Sequence, residues 1–198
     1  MIDYIKEDMC VFDGLREEYD YFTNQYESEM IEEIAQRVKN QYGEDKLATP
    51  IASILGKVGF KMYLGNLDNN TSGIIGVSDR LKKAHGSKRV IKINNKESRG
   101  HQRFTLAHEL GHYIFDYDGK TEYANAYTLN TRTEEPTEKR ANRFAAALLM
   151  PQEEFTNRFK LYKKSNYDII TIITLLSIDF DVSETAVEKR IEELKLAE

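Results

Sequence analysis

Within a Glu-rich stretch near the start of the chain, apolar residues recur at Met30, Ile31, Ile34 and Val38. That spacing predicts an amphipathic helix from about Leu15 to Gln41, lying on the surface with one face inward. Thr49-Pro50 follows, an N-cap and the residue best tolerated at a first helical position, so a short helix is expected to run to Gly56 or Gly59. Then the period shortens. Phe60–Leu64, Gly73–Val77 and Arg89–Ile93 are short apolar runs parted by turn-rich Asn69–Gly73 and His85–Ser87, which predicts a small antiparallel sheet of three strands. Beyond it the pattern is helical again: Phe104 to Phe115, Glu135 to Met150, a helix begun by Pro151 and reaching Leu161, then Tyr167 to Ser177 and Glu184 to Leu194, the last with Ser183 as N-cap. A polar loop through Thr133 separates the first two of these. The class expected is α+β, one small sheet on a mainly helical body.

Composition narrows the function classes. The chain has 198 residues, 40% of them hydrophobic, with twelve Tyr and nine Phe, which suits one substantial core. A net charge of -5 argues against wholesale coating of nucleic acid. One basic segment, from Arg80 to Arg103 and including Lys82, Lys83 and Lys88, is either a solvated face or, as the minor alternative, a docking surface for an acidic partner or a nucleic-acid contact. The single cysteine, Cys10, rules out an intrachain disulfide framework and a Cys-based zinc site. The N-terminus lacks a basic-then-apolar secretory pattern, and the apolar run Ile169–Ile178 is far short of the roughly 20 residues a bilayer needs. A soluble, cytoplasmic protein is expected.

The chemistry concentrates in His108-Glu109-Leu110-Gly111-His112, the pattern H-E-x-x-H, on a segment that reads as helix. Two His four apart share one helix face, so both imidazoles reach one metal ion, while the adjacent Glu109 is placed to take a proton from water. Half of the four histidines lie in this pentad, and Gly111 in mid-helix costs about 1 kcal/mol relative to Ala, which suggests a close approach of backbone or ligand. A catalytic zinc takes three protein ligands and keeps one position open. The extended pattern with a third His is absent, which leaves a carboxylate on a later element. Of Glu134, Glu135 and Glu138, only Glu138 shares the apolar face of Ala141, Ala145, Leu148 and Leu149. A buried carboxylate needs compensation that a metal supplies. Asn142, one turn on, is a candidate to orient a ligand. Tyr123, Tyr127 and Arg132 are candidates to hold an oxyanion, and sequence does not choose among them.

Arg103–His112 followed by Glu138–Pro151 resembles the ImmA/IrrE metallopeptidases, and Leu176–Ser183 with Ala186-Val187 and Arg190-Ile191 resembles that family's C-terminal helices. The likeness runs from about residue 47 to 196. It implies a zincin-like, gluzincin-type site with the H-E-x-x-H helix in the core, His108, His112 and Glu138 as metal ligands, Glu109 as catalytic base, and zinc, or alternatively manganese, as cofactor. The domain division it implies is an N-terminal helical extension over 1–46, a metallopeptidase domain over 47–165, and a helical segment over 166–198 packed on the same unit. Relatives cleave helix-turn-helix repressors of mobile elements or stress responses. With no repressor-like domain recognisable near its start, this chain is expected to act on a separate repressor. A metal-binding regulator that holds its repressor without cutting it is the alternative. Relatives often carry an acid just before the Ala-Asn pair, where this chain has Arg140, a position expected to point away from the ligands.

Overall fold

The computed structural model describes residues 27–119, 122–128 and 135–197, with Phe12, Leu15, Arg16, Glu18 and Tyr19 ahead of them. In chain order the elements are α1 (Glu27–Tyr42), α2 (Ile51–Lys57), β1 (Phe60–Gly65), β2 (Thr71–Val77), α3 (Asp79–His85), β3 (Arg89–Asn94), α4 (Arg99–Asp116), β4 (Tyr123–Thr128), α5 (Pro136–Leu149), α6 (Gln152–Lys164), α7 (Ile169–Phe180) and α8 (Glu184–Glu193). No helix among the described residues is long and apolar enough to cross a membrane.

The α+β expectation holds, but the sheet differs from the one predicted. It has four strands in the order β1-β3-β2-β4, and it is mixed. β1 runs parallel to β3, pairing Met62 with Ile91, while β2 runs antiparallel to both β3 and β4. The fourth strand, Tyr-Ala-Asn-Ala-Tyr-Thr, carries no aliphatic β-branched residue and so read as polar loop. A helix was missed as well. α3 is capped by Ser78, whose side chain accepts from the Leu81 amide, and closed by Gly86 in the left-handed region at φ 71°. Its basic sequence buries nothing, so no apolar period announced it.

The other helical boundaries fall within a few residues of their predicted places, except that α1 begins at Glu27 rather than near Leu15, and residues 20–26 of the predicted span lie outside the described residues. α1 buries Met30, Ile31, Ile34 and Val38 as expected, together with Ala35 and Lys39. Each fully buried Ile or Leu on such a face contributes about 1.5–3 kcal/mol of transfer free energy. Thr49 does not cap α2: the N-cap position is Pro50, and the Thr49 hydroxyl donates instead to the Leu148 carbonyl at 2.7 Å, joining the loop before α2 to the end of α5. Ser183 does cap α8.

α4 is the axis of the molecule. From Ala107 to Phe115 every residue on it is buried, with the sheet over one side and α5 against another. Gly111 explains how near α5 comes: a Cβ there would sit 3.2 Å from the Ala141 Cα and 3.1 Å from Phe144 Cδ1. On the other side β2 reaches α4 through Gly73, where a Cβ would meet Thr105 at 2.6 Å and the Glu109 carboxylate at 3.4 Å. Two missing side chains therefore let a helix and a strand close on the same two turns of α4.

Candidate metal centre

Ser98 caps α4 and sets the phase of the helix that carries the pentad. His108 and Glu109 are fully buried and His112 is 3% exposed. From α5, Glu138 projects between the imidazoles: Oε2 lies 3.3 Å from His108 Nε2 and Oε1 lies 3.2 Å from His112 Nε2. One donor atom from each of His108, His112 and Glu138 can be chosen so that all lie within 4.8 Å of one another, so the group could hold a metal ion.

The protons of the two rings are directed away from this point. His112 Nδ1 lies 2.6 Å from Asp116 Oδ2, a carboxylate whose other oxygen is bound by Arg140. Because a carboxylate only accepts, the Nδ1 proton belongs to His112, and in the neutral ring the lone pair is on Nε2. His108 Nδ1 lies 2.9 Å from Asn142 Oδ1, the same arrangement with an amide. Two Nε2 lone pairs then face each other at 3.0 Å, beside a Glu138 Oε2 that is buried and has no hydrogen-bond partner among the described residues. Two acceptors and a carboxylate converging without a proton repel one another unless a cation sits between them. Nitrogen and oxygen donors in this number suit zinc.

Electrostatics agree. Burial holds His108 below the ordinary histidine value, with the His112 charge acting in the same direction. The His108 ring beside it, with the charges of both imidazoles, holds the Glu138 carboxyl below its ordinary value, outweighing its own burial. Tyr123, on the inner face of β4, has its phenol held protonated by burial and by the Asp116, Glu109 and Glu138 carboxylates. Among the described side chains it is the oxyanion candidate near enough to the site to feel those carboxylates. Tyr127 is described through its backbone alone, and Arg132 lies outside the described residues.

Glu138 thus stands where its helical register placed it, whereas Glu135 is exposed at the N-cap of α5 and Glu134 lies outside the described residues. The remaining histidines are elsewhere. His101 approaches Ser72 and Glu97, and His85 packs near Tyr63. Sequence reasoning missed Asp116 and misjudged Arg140. Asp116 follows His112 by four residues on the same helix face, a signal that was present. Arg140 does not stand clear of the site: its guanidinium binds Asp116 and lies over the Tyr19 and Phe115 rings at 5.3 and 5.2 Å.

Fold and site together define a metallopeptidase-like protein. The chain belongs to the M78 peptidases: the family model Peptidase_M78, IrrE N-terminal-like domain, matches residues 70–192, more than half its length and all of the centre. Among solved structures it is similar to a Mycobacterium tuberculosis transcriptional regulator, at 19% identity and a TM-score of 0.52. That likeness concerns the fold; it covers 91% of this chain and 51% of the regulator, so the chain spans about half the regulator's length. A comparison with curated proteins returns no match.

Proposed function

We propose that the protein is a zinc-dependent endopeptidase of the cytoplasm that cleaves a separate helix-turn-helix repressor of a mobile element or a stress response. His108, His112 and Glu138 are the ligands in this reading and Glu109 is the base. The observation that carries it is Glu109, a carboxylate fully buried beside the three donor residues and enclosed by β2, where a protein that only bound metal would have no use for it. A zinc ion held there supplies a polarised scissile carbonyl and an acidified water. Glu109 takes the proton of the attacking water and hands it to the leaving amine nitrogen. Tyr123, kept protonated, donates to the carbonyl oxygen as negative charge develops on it. Among the described residues β4 is the last strand of the sheet, so an extended substrate segment can pair along it beside Tyr123.

Elemental analysis of the wild type beside His112→Ala and Glu138→Ala tests the centre. Near-stoichiometric zinc in the wild type and its loss in both variants is expected, with manganese in its place as the alternative. Wild-type protein that stays metal-free when zinc is offered overturns the proposal. The similarity to a protein named as a transcriptional regulator supports the second reading, a metal-binding regulator that holds its repressor intact. Glu109→Gln separates the two: it keeps zinc and repressor binding in both, and it abolishes function only if function is cleavage.

A further inference from the structure

A cavity of about 870 Å³ opens beside the centre without including any of its three donor residues. It lies among the start of α1, the first turns of α4, the outer face of α5 and α8, and its volume is that of a small-molecule site. Ile31, Phe104, Ala146 and Met150 make its lining apolar. Its charge is one-sided: Lys139, Arg140, Arg143, Lys189 and Arg190 line it against Glu27 and Glu193. Arg190 and Arg143 are engaged by Glu193 inside the molecule. Lys139 and Lys189 are exposed and make no ion pair among the described residues. Arg140 is bound on one side by Asp116, and its Nε is buried without a hydrogen-bond partner among the described residues. An apolar lining and two uncommitted ammonium groups suit a ligand with a flat apolar body and an anionic group.

The position of the cavity gives such a ligand a second effect. Both supports of the imidazoles begin in its wall: Asn142 holds His108, and Arg140 holds Asp116, which holds His112. An anion drawing the Arg140 guanidinium away from Asp116 loosens the group that orients the His112 ring. We infer that this cavity is an effector site for an amphiphilic organic anion, whose binding weakens metal binding at the neighbouring centre. Linkage requires that the metal weaken anion binding by the same factor. The coupling rests on the metal-centre reading; occupancy of the cavity does not.

The probe is anilinonaphthalene sulfonate, a flat aromatic anion that fluoresces when bound in apolar surroundings, titrated into the folded full-length protein. One saturable site is expected, weakened at least fivefold in a Lys139→Glu, Lys189→Glu double variant and lost in Ala146→Trp, which fills the lining. His112→Ala, which cannot hold metal, should bind the probe as the zinc-stripped wild type does, and the zinc-loaded wild type should bind it at least threefold more weakly. Chelator competition should then show zinc affinity falling at least threefold at saturating probe in the wild type and unchanged in the double variant. If Ala146→Trp fails to fold, the two exposed lysines still decide the matter. Fluorescence that is equal in all variants means an adventitious additive only and overturns the site. Variant-sensitive binding with no change in zinc affinity keeps the site and overturns the coupling. Variant-sensitive binding in a protein that takes up no zinc sinks the metal reading alone.

Discussion

Asp116 does for His112 what nothing inside the pentad can do. By accepting the Nδ1 proton at 2.6 Å it fixes the ring's tautomer and leaves Nε2 facing Glu138. Removing such a partner lowers metal affinity about 10- to 100-fold. Asp116→Ala is therefore expected to weaken zinc binding by that order in a chelator competition, while His112→Ala loses it altogether. Asn142→Ala should act in the same direction through His108, and more weakly, because an amide is a poorer acceptor than a carboxylate. Most of the centre could be read from the sequence because it obeys helical periodicity: His108, Glu109 and His112 fall within one turn, and Glu138 shares the apolar face of its own helix. Asp116 was equally periodic but sat at a helix end among polar residues, where an acid attracts no notice. Arg140 could not be read at all, since its partner is on another helix and no rule of spacing joins them.

At the scale of elements, the centre depends on how closely α5 approaches α4. Gly111→Ala adds about 1 kcal/mol of helix propensity, but its methyl would meet the Ala141 backbone at 3.2 and 3.4 Å, which cannot swing aside as a side chain would. Overpacking of this kind costs about 1–3 kcal/mol. The variant should unfold at lower urea than the wild type, and it should also bind zinc less tightly, because Glu138 moves out with α5. Equal or greater stability would mean that the helices have room to part. The close approach itself was legible from the mid-helix glycine; what approaches was not. The sheet was legible only where its strands are aliphatic. The direction of β1 was lost because a parallel pair needs a partner distant in sequence, here β3 beyond both β2 and α3.

Across the whole molecule, one buried cation joins the two ends of the described chain. Arg190 on α8 is fully buried, binds both oxygens of Glu32 on α1, and donates to Glu193 and to the Met150 carbonyl. Arg190→Ala leaves Glu32 and the Met150 carbonyl without that partner, and breaking a buried pair from one side costs about 3–5 kcal/mol. Chemical denaturation measures this directly. Burial pushes the Glu193 carboxyl up, but the Arg190 hydrogen bond and charge, with help from Arg143, hold it below its ordinary value. A depressed carboxyl contributes stability above the unfolded pKa, about 4.3 for Glu, and loses it as pH falls through the folded value. Glu193→Gln should thus be less stable than the wild type at pH 7, and the gap should narrow below about pH 4. A gap that stays constant with pH would show that the ion pair contributes nothing. The strand order β1-β3-β2-β4 also sets a timetable. On the ribosome neither β1 nor β2 has a neighbour until β3 has been made, since β2's other partner is later still. At roughly 5–20 residues per second the nascent chain spends seconds with two apolar strands unpaired, and a nascent chain arrested before Arg89 should be held by chaperones as an unfolded client.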